Sequence, residues 1–179
     1  MNSSKSSNTQ PFGICLQLDI RLFKAMRAGR GPAWLMQCAQ VVAQRSWLLL
    51  LVIVVWVSWR RHQTLYLALV ALLFAGLLQL LGKKMARRWQ AKRPFVLGLC
   101  DNHLGHSFRA GFPSSHALVM GAVVGVLVPF AEPIPGMVMG AIAIMTGWAR
   151  VHTGAHFPSD VLVGLSAGFL SGLSLSKFL

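Results

Sequence analysis

Residues 64–81 read TLYLALVALLFAGLLQLL, an eighteen-residue run with no charged side chain, and the way this run is apolar decides the fold class. A core helix of a soluble protein is apolar along one stripe, whereas here Leu, Val, Ala and Phe occupy every side of the helical circumference. The surroundings that suit such a helix are lipid. Four more stretches, 46–59, 117–130, 134–148 and 161–175, read the same way. Each run falls short of the ~20 residues that cross a bilayer, so the helices extend into their polar flanks or sit in thinned lipid. The expected fold is all-α, a multi-pass membrane helical bundle with about five transmembrane helices.

Composition agrees: 55% of residues are hydrophobic and only 12% charged, far from the soluble balance and enough for one domain. Residues 1–10 are polar and Ser/Asn-rich, with no cleavable signal pattern, and read as a disordered tail. The single membrane domain is therefore expected over 11–179. From Phe12 to Arg30, apolar residues alternate with Arg21, Lys24, Arg27 and Arg30, which suits an N-terminal interfacial helix. Residues 34–44 continue as a second interfacial turn or as the lower half of the first span.

Glycine spacing indicates that the spans pack together. Gly121/Gly125, Gly136/Gly140 and Gly164/Gly168/Gly172 repeat every four residues, a pattern that lets helix backbones approach. Cys15, Cys38 and Cys100 have no metal-binding spacing and an odd number cannot pair fully within one chain, so they read as apolar fillers. The formal charge of +13 raises nucleic acid as a partner, but the basic residues flank apolar spans instead of forming a basic domain with interleaved aromatics. Anionic membrane lipids are the expected partners. No feature sets an oligomeric state.

If the spans alternate across the bilayer, the connections 82–116 and 149–160 lie on one face, and most unusual polar residues lie with them. Ionisable groups at the edge of spans are costly and usually functional. His156 and Asp160 are four apart, so helical geometry brings them together, and a carboxylate beside an imidazole leaves the other ring nitrogen as nucleophile or base. Ser114, Ser115 and His116 precede a span, where backbone N–H groups and the helix dipole favour an anion. Arg93, Arg150 and the two serines can wrap three phosphate oxygens, with His116 left to donate a proton. That set suits phosphoryl transfer by positioning and charge stabilisation. With Asp160 beside the motif and Asp101 well before it, a carboxylate metal cage is not expected, and no cofactor is implied.

These residues together resemble the type-2 phosphatidic acid phosphatase and vanadium haloperoxidase superfamily. Its third signature is matched by Arg150 through His156 to Asp160, with the family's five residues between Arg and His and three between His and Asp, and with Ala149 where the family commonly has Ser. The second reads Pro113-Ser114-Ser115-His116, with Ser in place of the common Gly, and the first keeps Arg93-Pro94. Where the family commonly has Lys, seven positions before Arg93, this chain has Ala86, and Lys83 and Arg87 are the candidates for the missing contact. The resemblance covers residues 65–175. It implies His156 as nucleophile, Asp160 as its orienting group, His116 as general acid, and Arg93, Ser114, Ser115 and Arg150 as phosphate ligands, without a metal.

The short chain, Arg-Pro-Phe and Phe-Pro-Ser-Ser-His look most like bacterial undecaprenyl-diphosphate phosphatases of that superfamily. They imply an enzyme of the bacterial inner membrane acting on a lipid phosphate. Phosphatidic acid, phosphatidylglycerol phosphate and lipid A are alternative substrates, and Ala86 motivates a non-catalytic phospholipid-binding or transport protein. The resemblance implies a periplasmic active site. Counting charge points to the cytoplasm, because most of the 17 Lys and Arg residues share the site's face, leaving only Arg60, Arg61 and Lys177 opposite. His62, His103 and His106 read as capping or packing residues, and His152 fits either role.

Overall fold

The computed structural model describes residues 11–26, 32–60, 64–106 and 110–179. Among them are six α-helices and no strand: α1 (Pro11–Met26), α2 (Ala33–Arg60), α3 (Thr64–Trp89), α4 (Ser115–Leu127), α5 (Pro133–His152) and α6 (Pro158–Ser176). Short 3-10 turns follow at Pro94–Leu97 and Val128–Phe130. The expected tail at 1–10, His62 and Arg109 lie outside the described residues. The segment 34–44 belongs to α2, which runs unbroken through it.

Four helices, α2, α3, α5 and α6, are long and apolar enough to cross a membrane, and the fifth expected span, α4, has only 13 residues. Its position accounts for its length. From Ala117 to Leu127 it is buried everywhere except Val119, so it is wrapped by protein and need not match a lipid thickness. The other helices present large apolar side chains outward: Leu73 and Ile134 are each 75% exposed, and Met137 74%. Apolar surface on that scale belongs against lipid tails, and the chain is a multi-pass membrane protein.

Prolines and glycines set the helix starts and their approach. Pro133 and Pro158 occupy the first positions of α5 and α6, where a missing N–H forfeits no helical hydrogen bond. α4 packs most extensively against α6, and the four-residue glycine ladders form the seam. A Cβ at Gly168 would sit 2.2 Å from the Leu118 carbonyl oxygen, one at Gly121 2.3 Å from that of Leu165, and one at Gly125 2.2 Å from that of Phe169. Only hydrogen fits there. The pair Gly136/Gly140 does not behave this way: Gly136 has nothing nearer than 3.8 Å and Gly140 nothing within 4 Å. Spacing alone did not separate a packed ladder from one facing open space. Elsewhere the Ser46 and Thr146 hydroxyls pair at 2.8 Å and join α2 to α5.

α1 lies across the ends of α5 and α6 and holds the loop between them. Phe23, fully buried, meets Phe157 edge-on with ring centroids 5.7 Å apart. The Met26 carbonyl accepts from His152 Nδ1 at 3.0 Å. Asp19 accepts from the Ser159 backbone N–H at 3.0 Å and from its hydroxyl. Residues 19, 23 and 26 share one helical face, so the expected interfacial helix docks through it onto 152–159. Burial raises the Asp19 carboxyl above its ordinary value despite two hydrogen bonds from Ser159 that pull it down. A raised carboxyl is less favourably ionised in the folded state than in the unfolded one, so its charge adds no stability near neutral pH. Its contribution is positional. Asp19→Ala is therefore expected to lower turnover about three- to tenfold while shifting thermal unfolding by only a few degrees, and Asp19→Asn, which keeps an acceptor, to recover most of the rate. Assay and melting of the detergent-solubilised variants check this; wild-type turnover in Asp19→Ala would refute it.

Candidate active site

The residues singled out by spacing converge where the ends of α3, α4, α5 and α6 meet. Arg150, in the last turn of α5, is 2% exposed and His156, in the following loop, 1%. Arg93 caps the turn at Pro94–Leu97 and reaches across the site, with NH1 donating to the Ala155 carbonyl at 2.9 Å. Arg93 NH1 and Arg150 NH2 both stand 3.3 Å from His156 Nε2. A guanidinium can only donate, so Nε2 is the acceptor and the proton of the neutral ring sits on Nδ1. Nδ1 faces Asp160 Oδ2 at 3.5 Å, an ion-pair distance rather than a tight hydrogen bond.

Asp160 has two tasks. Its Oδ2 accepts from the Phe157 N–H at 2.9 Å, closing the first turn of α6, and the same oxygen borders the imidazole. Its backbone carbonyl accepts from the Ser114 N–H at 3.0 Å, which ties the start of α4 to the start of α6. Gly111 leaves room beside the pair: a Cβ there would lie 2.9 Å from Arg93 Cγ and 3.5 Å from Asp160 Oδ2. Burial first, then the charges of Arg150 and Arg93, hold the His156 pKa well below its ordinary value. The ring is therefore neutral at pH 7, with a lone pair on the nitrogen that faces the guanidiniums.

Ser114 is fully buried at the N-cap of α4, and His116 in its first turn is within electrostatic reach of Arg150, His156 and Arg93. A cavity of about 190 Å³ opens beside them, lined by Lys83, Ala86, Arg87, Arg93, Ser115 and His156 among others. Both candidates for the lysine missing at Ala86 thus border the same space as the imidazole. α3 is still helical at 83–87, so 83, 86 and 87 fall on neighbouring positions of one face. The two alternatives have become one basic rim.

Of two other histidines, one is engaged through its backbone and the other through its ring. The His103 carbonyl accepts from Gln40 Nε2 at 3.1 Å. His152 is buried, stacked on Trp148 at 4.7 Å and bonded to Met26. His106, expected to cap or pack, stands with its Nε2 2.9 Å from Arg150 NH2. The available signal was its place in the polar connection between the first and second motifs. No group of three His, Cys, Asp or Glu able to hold a metal occurs among the described residues.

Comparison with known proteins gives a consistent picture. The profile of the PAP2 superfamily matches residues 63–179. YbjG of Escherichia coli (strain K12), provisionally named an undecaprenyl-diphosphatase, is 28% identical over 160 residues, which cover 88% of this chain and 80% of that one. Phosphatidylglycerophosphatase B of Bacillus subtilis (strain 168) is 30% identical over 135 residues, 70% of this chain and 64% of its own length. Among solved structures, the transmembrane PAP2-type phosphatidylglycerolphosphate phosphatase from Bacillus subtilis superposes with a TM-score of 0.71 at 25% identity, over 92% of this chain and 86% of that one.

Proposed function

The chain belongs to the PAP2 superfamily, whose members hydrolyse lipid phosphates, and from that premise we propose that it converts undecaprenyl diphosphate to undecaprenyl phosphate through a phosphohistidine on His156. The observation that carries the reading is the pair of guanidinium nitrogens, each 3.3 Å from the one ring nitrogen able to attack. A phosphoryl group held by Arg93 and Arg150 presents its phosphorus to that lone pair. The hydroxyls of Ser114 and Ser115 and the Ser115 backbone amide take further oxygens, and Lys83 and Arg87 hold the outer charge.

In the first step, His116 takes up a proton once the anionic phosphate offsets the charges of Arg150 and Arg93, His156 Nε2 forms the N–P bond as the bond from phosphorus to the lipid-side oxygen breaks, and His116 gives its proton to that oxygen. The attacking ring gains positive charge, which Asp160 stabilises at Nδ1–H. In the second step His116 takes a proton from water, the water oxygen bonds to phosphorus, the N–P bond breaks and inorganic phosphate leaves. Arginines in a largely water-excluded site supply the charge stabilisation this reaction needs, and two cations beside the imidazole repel a metal ion. The proposed setting is a bacterial inner membrane with the site on its outer face. Lys83, Arg87 and Arg93 line the substrate cavity, so part of the basic charge there answers to substrate and not to topology.

A second substrate, phosphatidylglycerol phosphate, is favoured by the relative and the solved structure named for it. Purified protein presented with undecaprenyl diphosphate, phosphatidylglycerol phosphate, phosphatidic acid and lipid A is expected to release phosphate fastest from the first. Release should survive EDTA and be blocked by vanadate. Faster turnover of phosphatidylglycerol phosphate would transfer the assignment to it, and loss of activity in EDTA would overturn the metal-free chemistry. Tight lipid binding with no release would favour the non-catalytic alternative.

A further inference from the structure

The turn 102–106 places a third histidine against the phosphate-facing arginine. Asn102 grips His106 from both sides: its Nδ2 donates to the His106 carbonyl at 2.7 Å, and its Oδ1 accepts from the His106 N–H at 3.0 Å. Gly105 turns the chain with φ +63°, a conformation that suits glycine. Gln40 on α2 fastens the turn through the His103 carbonyl. These contacts hold the backbone of the turn, and the His106 ring meets Arg150 with Nε2 2.9 Å from NH2. The same guanidinium nitrogen is 3.3 Å from His156 Nε2, so a single donor stands between two imidazoles.

We propose that His106 is a substrate-contacting residue that donates a hydrogen bond from Nε2 to the phosphate oxygen bound by Arg150. The inference rests on the phosphatase reading above and adds a ligand that none of the three motifs contains. Without an anion, Arg150 donates to the His106 lone pair. A phosphate oxygen is a far stronger acceptor for a guanidinium than a neutral imidazole is, and it takes that N–H when it arrives. His106 Nε2 then faces an anionic oxygen at hydrogen-bonding range. Exchange of the ring proton from Nδ1 to Nε2 through water turns it from acceptor to donor, with no net proton uptake. Burial, Arg150 and Arg93 hold the ring's pKa down to about 4, which keeps it neutral at pH 7 and able to make that exchange.

The test compares His106→Ala, His106→Gln and His106→Asn in full-length detergent-solubilised protein, with inorganic phosphate as the probe. Binding of phosphate is measured directly, by calorimetry, beside kcat/KM on lipid substrate. Loss of one hydrogen bond to a charged group predicts that alanine weakens phosphate binding and lowers kcat/KM roughly ten- to a hundredfold. Glutamine, whose amide reaches as far as Nε2, should recover to within about fivefold, and asparagine, one methylene shorter, should resemble alanine. A merely structural role would not rank glutamine above asparagine in phosphate affinity. Unchanged phosphate affinity in the alanine variant, or tighter binding because His106 only competes with the anion, overturns the proposal. If alanine fails to accumulate, the glutamine and asparagine pair decides alone. Wild-type protein that binds phosphate but releases none from any lipid would defeat the phosphatase reading separately, since the binding comparison needs no turnover.

Discussion

His156→Ala is expected to reduce phosphate release from lipid substrate to about one thousandth of the wild-type rate or less, the scale on which enzymes lose activity when a nucleophile is removed. The imidazole is buried between the two arginines, and no other ring nitrogen stands 3.3 Å from both guanidiniums among the described contacts. An alanine leaves the phosphate ligands in place, so substrate should still bind while the N–P bond cannot form. Asp160→Asn should be milder, about a hundredfold, because it keeps an acceptor for the Phe157 N–H but loses the charge facing Nδ1. Brief exposure to substrate labelled with radioactive phosphate should give an acid-labile, alkali-stable protein adduct in the wild type and none in His156→Ala. Turnover by the alanine variant near the wild-type rate would remove the phosphohistidine from the mechanism.

The largest effect on stability is expected from Gly168→Val. Its Cβ would lie 2.2 Å from the Leu118 carbonyl oxygen and 2.8 Å from the Ala122 nitrogen, both backbone atoms of α4 that no rotamer change can move. The helices must separate, which strains the buried seam and the Ser114–Asp160 backbone bond at its end. Forced overpacking of a close-packed interface costs about 3 kcal/mol or more, enough to lower the detergent melting temperature by roughly ten degrees or to prevent accumulation. Gly140→Ala is the matched control. Nothing lies within 4 Å of a Cβ there, and replacing a helical glycine by alanine gains about 1 kcal/mol, so that variant should melt at or above the wild-type temperature. Equal melting of the two variants would show that the seam is not the close contact described.

How much of the site was legible depended on how far apart its parts lie in the chain. Arg150, His156 and Asp160 fall within eleven consecutive residues, and a helix end, a short loop and a helix start leave few ways to arrange them. Their spacing therefore carried real geometry, and Arg93, Ser114, Ser115 and His116 joined them through the two remaining motifs. The contact of His106 with Arg150 was not legible, because a histidine in a polar connection looks alike whether it faces water or an arginine 44 positions away. The basic positions around Ala86 were ambiguous for a related reason. Which of Lys83 and Arg87 reaches the cavity depends on the rotation of α3 about its axis, and the structure puts both on the rim.

The sequence by itself determined the class of the molecule and the group of polar residues that meets at one end of its bundle. Runs that are apolar on every side leave lipid as the suitable surroundings, and residues a few positions apart inherit their separation from local backbone geometry. Tertiary structure alone decided which glycine ladder is a packing seam, why the central span is short, how α1 holds the start of α6 through Asp19 and Ser159 across 140 positions, and that His106 meets Arg150. Those features depend on which helix faces meet, and facing is set by the packing of the whole bundle.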